Sequence, residues 1–199
     1  MKQVNILVVA TQPHILDVRG VALQRTLQDD LHLHVDEVRT ASLYTIHAPL
    51  TPADLEQARQ VLFTDAVVQE SCWAQRPAMT CDWIVQVGLL PGVTDNVGRT
   101  AARALEDIAD QPLQGEVYTS SLYLLRSALS RREIERVVRD VLANPLIQQW
   151  RITAAADWQD GPEAFLSPPV AGIDKAPEVH AITLERDDQA LMHLSQEGL

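Results

Sequence analysis

The sequence predicts an α+β fold: tandem duplicated β-α-β-α-β units join into a pseudo-dimeric sheet with helices packed on it, followed by an extended linker tail. Three observations carry that expectation. Residues 4–73 and 82–152 repeat one another. Both repeats run through strand-like and helix-like apolar periods in the same order. Beyond residue 156 the periodicity gives way to Pro, Gly and acidic residues. The chain therefore divides into a first unit over residues 1–78, a second over 79–156 and a linker with the start of a helix over 157–199.

The repeat is explicit. At a shift of 78, Ile6, Val9, Pro13, Asp17, Gly20, Arg25, Leu27 and Asp29 meet Ile84, Val87, Pro91, Asp95, Gly98, Arg103, Leu105 and Asp107. One inserted residue changes the shift to 79, where Val38, Thr40, Ser42, Leu43, Tyr44, Leu50, Glu56 and Gln69 meet Val117, Thr119, Ser121, Leu122, Tyr123, Leu129, Glu135 and Gln148. Sixteen identities with a single gap are not a chance match. A duplicated supersecondary unit need not bury its apolar face alone, because its copy can cover it.

Each unit opens with an apolar strand, residues 4–10 and 83–88, and then a Pro-containing turn. Asp17 and Asp95 stand where an N-cap carboxylate accepts from the free N–H groups of a first helical turn. The helices they start run over about residues 18–30 and 96–109, with Val97, Ala101, Ala104, Leu105 and Ile108 as the inward stripe of the second. Gly20 and Gly98 sit early in these helices, where a missing side chain allows close approach to a neighbouring backbone. A long strand follows in each unit. Val38, Thr40, Ser42, Tyr44 and Ile46 line one face, matched by Val117, Thr119, Ser121, Tyr123 and Leu125, and that face is only partly apolar. Thr51 with Asp54, and Ser130 with Glu133, have the spacing of capping boxes for a second helix, whose stripe in unit two is Ile134, Val137, Val138, Val141 and Leu142. Last strands are expected over residues 67–73 and 146–152. In the tail, a short strand over 179–184 and an amphipathic helix start over 187–194 close the chain.

Composition excludes several functions. With 199 residues and 46% apolar side chains, the chain has enough material for one good core. The net charge of −11 is uneven, since residues 157–199 hold nine acidic side chains against two basic ones. No Lys/Arg cluster interleaved with aromatics offers the footprint that a phosphate backbone needs, so no nucleic-acid partner is expected. The apolar opening, residues 4–10, is too short for a signal-peptide core or a membrane span and reads as a buried strand. No membrane partner is expected. Two cysteines, Cys72 and Cys81, do not make a disulfide framework, and a cytoplasmic protein follows.

Candidate chemistry is thin. His32 and His34 alternate as on a strand, with His14 and His47 elsewhere in unit one, but no carboxylate or thiol has complementary spacing, so no metal ligand is assigned. Cys72 and Cys81 match neither a redox pair nor a zinc knuckle. Gly88-Leu89-Leu90-Pro91-Gly92 precedes a helix N-terminus yet has the glycines of neither a P-loop nor a dinucleotide fingerprint, and Asp95 already holds the positive pole. Arg131, Arg132, Arg136 and Arg139, interleaved with Glu133, Glu135 and Asp140, read as a solvated ion-paired face or a docking face. No catalytic or cofactor-binding residue emerges, and the chain reads as a module that binds or bridges.

Three stretches of unit two resemble a known family: Leu90-Pro91-Gly92-Val93-Thr94-Asp95-Asn96-Val97-Gly98-Arg99-Thr100-Ala101, then Val117-Tyr118-Thr119-Ser120-Ser121-Leu122-Tyr123-Leu124, then Leu142-Ala143-Asn144-Pro145-Leu146-Ile147-Gln148. They look like the PurS-like region at the start of phosphoribosylformylglycinamidine synthase (FGAM synthase), the glutamine-dependent ligase of purine biosynthesis. Unit one resembles the same pattern more loosely at residues 13–20 and 38–41. The resemblance implies a non-catalytic role: two tandem units mimic a PurS dimer in one polypeptide and help join the synthetase part to the glutaminase part. It implies no cofactor in this chain, with ATP and magnesium bound only by the synthetase. No functional residue carries over, since the matching positions are scaffold. Further association into a homo-oligomer is compatible with it. The alternative is a tandem small-molecule-sensing regulatory module that binds an effector between the two units, which a polar, partly open groove between them would favour.

Overall fold

The computed structural model describes residues 4–169 and Met192. The fold is α+β. Six antiparallel strands, β1 (Val4–Thr11), β2 (Glu37–His47), β3 (Gln69–Trp73), β4 (Trp83–Leu89), β5 (Glu116–Arg126) and β6 (Gln148–Ala154), form one sheet in the order β3-β1-β2-β5-β4-β6. Four helices, α1 (Val18–Leu31), α2 (Pro52–Ala58), α3 (Asn96–Ala109) and α4 (Arg131–Val137), pack on it. None of the described helices is long and apolar enough to cross a membrane.

The central seam is β2 against β5, paired from Glu37↔Arg126 to His47↔Glu116. Both faces of the sheet are apolar and both are covered, which is why β1 carries five consecutive buried residues rather than an alternation. On the helical face, one cluster joins Leu7, Val9, Ile46, Leu55, Ala58 and Phe63 to Ala101, Leu105 and Val117. A second joins Leu27 and Val38 to Val85, Val87, Leu125, Ile134, Val137 and Val138. The clusters thus cross between the halves of the chain: α3 lies on the first half's core and α1 on the second's. The opposite face, with Ile6, Val8, Ala41, Leu43, Ile84, Leu122 and Leu124, takes no residue from the four helices and instead buries Phe165.

Asp17 and Asp95 do more than cap. Asp17 accepts from Gly20 N at 3.0 Å, Thr40 N at 2.5 Å and Thr40 Oγ1 at 3.2 Å. Asp95 accepts from Gly98 N at 2.7 Å, Thr119 N at 2.6 Å and Thr119 Oγ1 at 2.9 Å. The register explains the second partner. Pairing of β1 with β2 stops at Ala10↔Ala41 and that of β4 with β5 at Gly88↔Ser120, so the N–H of the next residue, Thr40 or Thr119, would lack a strand partner, and the cap carboxylate supplies one. Asp17 is only 7% exposed. We expect D17N, which keeps one oxygen but turns an amide donor toward a backbone N–H, to cost about 1–3 kcal/mol in urea unfolding. A loss no larger than that of an exposed cap would count against the strand-end role.

The structure corrects several sequence expectations. Val97 is 58% exposed, and α3 turns inward Gly98, Ala101 and Leu105, with Ile108 partly buried against the same cluster. The last strands begin two residues late: Val67 N and Leu146 N donate to the side chains of Asp65 and Asn144 in tight turns, which leaves Val67 and Leu146 exposed. The capping boxes form as spaced, but α2 and α4 each run into a single π turn, Arg59–Phe63 and Val138–Leu142.

The first residues of the expected linker belong to the folded body, because the apolar second face of the sheet needs a cover. Two 3₁₀ turns, Ala155–Asp157 and Pro162–Ala164, lead into Phe165, which is 2% exposed and meets Trp158 edge to face at 5.2 Å. Arg151 Nη1 donates to the carbonyls of Glu163, Ala164 and Phe165 at 3.1, 3.0 and 2.9 Å, and Leu166 N donates to the buried Gln86 Oε1 at 2.8 Å. The expected strand at 179–184 and, apart from Met192, the helix start at 187–194 lie outside the described residues.

Candidate functional site

The histidines do not converge. His32, expected on a strand, instead ends α1 in the left-handed conformation at φ 55°, with its N–H donating to Leu27 O. His34 is exposed and lies 3.2 Å from Asp36, His14 is exposed in the turn before α1, and His47 closes β2. Among the described residues no three His, Cys, Asp or Glu side chains come together as metal ligands. Burial pushes both thiols up. Cys72 Sγ donates to Gln75 O at 3.1 Å and Cys81 Sγ lies 3.8 Å from Arg76 Nη1. The Gly88–Gly92 turn places Gly92 at φ 84°, and the three bonds to Asp95 fill the anion-attracting end of α3. The arginines of α4 and its π turn are solvated: Arg131 pairs with Glu135 and Arg136 with Asp140, both at 3.3 Å.

A groove that sequence reasoning did not assign to particular residues lies on the helical face. It holds about 380 Å³ over β2, β5 and β4 and is walled by the start of α3. Ser42 and Tyr44 come from the first half, and Asp95, Asn96, Thr119 and Ser121 from the second. Val87, Leu89 and Val97 supply its apolar surface. The Tyr44 ring rests on Phe63 with centroids 4.5 Å apart. Burial raises the Tyr44 phenol pKa, the nearby Arg19 guanidinium partly offsets this, and the Asp95 carboxylate adds to it, so the hydroxyl stays protonated at neutral pH. A smaller groove of about 220 Å³ lies on the other side of Ser121, lined by Arg19, Thr40 and Tyr123.

The arrangement can hold a small molecule by hydrogen bonds. Among the described residues Asp95 is the only carboxylate that lines the larger groove, both of its oxygens are engaged, and no thiol or imidazole joins it, so this lining offers no nucleophile with a base. The available signal was the recurrence of hydroxyls at matched positions, Ser42 with Ser121 and Tyr44 with Tyr123, on strands that could have been apolar. A larger open cleft of about 480 Å³ beside α3 is lined by Arg99, Arg103, Glu116 and Tyr118, whose hydroxyl donates to Glu116. Compared with known proteins, the chain matches no family model and no curated protein sequence.

Proposed function

We propose that the chain is a non-catalytic PurS-like scaffold of FGAM synthase, a cytoplasmic pseudo-dimer of two tandem units that helps join the synthetase part to the glutaminase part. In this reading ATP and magnesium belong to the synthetase, and this chain contributes surface and geometry.

The observation that carries the reading is the exchange of core residues. Under the alignment of the repeats, Leu7, Val9, Ile46, Leu55 and Ala58 correspond to Val85, Val87, Leu125, Ile134 and Val137, while Leu105 and Val117 correspond to Leu27 and Val38. The first set of seven lies in one apolar cluster and its counterpart set in the other. Each cluster is therefore the other with the halves interchanged, the pattern a two-fold dimer produces. The seam fits the same operation: Ser42 faces its own counterpart Ser121, and Val38↔Leu125 is matched by Ile46↔Val117. A two-fold body with helices on one face would offer a preformed docking platform.

The test is reconstitution. The purified chain, mixed with the separate synthetase and glutaminase parts, should raise glutamine-dependent ligase activity and leave ammonia-dependent activity nearly unchanged. Equal glutamine-dependent activity with and without the chain would reject the bridging role.

A further inference from the structure

We propose that the groove over Ser42 and Ser121 is a binding site for an uncharged, hydroxyl-bearing ring compound, between a monosaccharide and a nucleoside in size. The proposal rests on the groove's own geometry and is independent of the scaffold role.

Hydroxyls that no protein group engages face this groove. The hydroxyls of Ser42, Tyr44 and Ser121 bond to no protein group among the described residues, although all three are partly buried at the centre of a packed sheet. The neighbouring hydroxyls of Thr40 and Thr119 are explained by Asp17 and Asp95. No such bond accounts for the hydroxyls of Ser42, Tyr44 and Ser121, and larger apolar side chains at Ser42 and Ser121 would have filled the groove.

The two halves also differ at this groove. In the aligned repeats Arg19 stands where Val97 does. The groove with Val97 at its wall has about 380 Å³, while the one that holds Arg19, with Thr40, Ser121 and Tyr123 where the first has Thr119, Ser42 and Tyr44, has about 220 Å³. Duplication alone would leave two equal grooves, whereas here the wider one has no Lys or Arg among the described residues that line it. Its volume lies within the range of small-molecule sites.

The lining also sets the ligand's chemistry. Among the described residues neither Lys nor Arg lines the larger groove, and the Asp95 carboxylate does, which disfavours a phosphate or carboxylate ligand. Hydroxyls that both donate and accept suit ligand hydroxyls, and Val87, Leu89 and Val97 suit the apolar face of a ring.

Amide chemical shifts of the full chain, followed during titration with adenosine, ribose and adenosine monophosphate up to about 10 mM, test this directly. Adenosine or ribose should move the amides of Ser42, Ser121 and Asn96 in a saturable way, and adenosine monophosphate should bind several-fold more weakly than adenosine. The S42A/S121A double variant, which removes both hydroxyls without closing the groove, should keep its melting temperature and weaken binding about tenfold. No saturable shift with either uncharged compound, tighter binding of the monophosphate, or unchanged affinity in the double variant would each overturn the proposal.

Discussion

Expressed apart, residues 4–78 and 79–169 are expected not to fold as monomers. The first half alone would lose Ala101, Leu105 and Val117 from its cluster, and the second half would lose Leu27 and Val38. Leu27 and Leu105 are fully buried, and emptying such a site costs about 2–5 kcal/mol even when only one side chain is truncated. A domain's whole stability is about 5–15 kcal/mol, so removing a covering helix along with its leucine leaves little margin. Separation would also expose the full edge of β2 or β5, whose pairing runs the whole length of both strands. Each half on its own should be unfolded, or should form a homodimer whose melting depends on concentration, and mixing the halves should recover a one-to-one complex. A half that melts cooperatively as a monomer, independent of concentration, would show that the clusters are not interdependent.

The G98A variant is expected to lose several kcal/mol, although alanine is the better helix former by about 1 kcal/mol. A Cβ at Gly98 would lie 2.2 Å from Val117 O and 2.9 Å from Asp95 Cγ, and one at Gly20 would lie 2.1 Å from Val38 O. The obstacles are a strand carbonyl and the carboxylate that ties α3 to that strand, so relief requires the helix to lift. Lifting α3 withdraws Leu105 from the first half's core and breaks the bonds from Thr119 to Asp95. Overpacking against backbone costs about 3 kcal/mol or more. For a chain of this size that lowers the melting temperature by roughly 10 °C. G20A should behave alike through Val38. A melting temperature unchanged or raised, as helix propensity alone requires, would contradict the close-approach account.

Much of this architecture was legible because its signals are local. Asp17 and Gly20, three residues apart and repeated at Asp95 and Gly98, specify a capped helix that sits close to a strand. The Thr51 and Ser130 capping boxes are likewise encoded within four residues. The features that local sequence does not reveal depend on distant partners. His32 alternates with His34 as on a strand, but the end of α1 puts it in a left-handed cap. Val97 has helical spacing with Ala101 yet faces outward, because Gly98 and not Val97 meets β5. Trp158 and Phe165 sit in a Pro/Gly/acid composition that reads as linker, and only the uncovered second face of the sheet, invisible to periodicity, explains why they pack. The groove was hidden for the same reason. Its hydroxyls lie on strands more than seventy residues apart, and Ser42 and Ser121 become neighbours only through the register of β2 with β5.

The most direct test of the scaffold reading is the mass, by light scattering, of this chain mixed with the synthetase and glutaminase parts in the presence of ATP, magnesium and glutamine. The account predicts one stable assembly containing all three components, with one copy of this chain where two copies of a single-unit PurS would stand. Three species that retain their separate masses would contradict it.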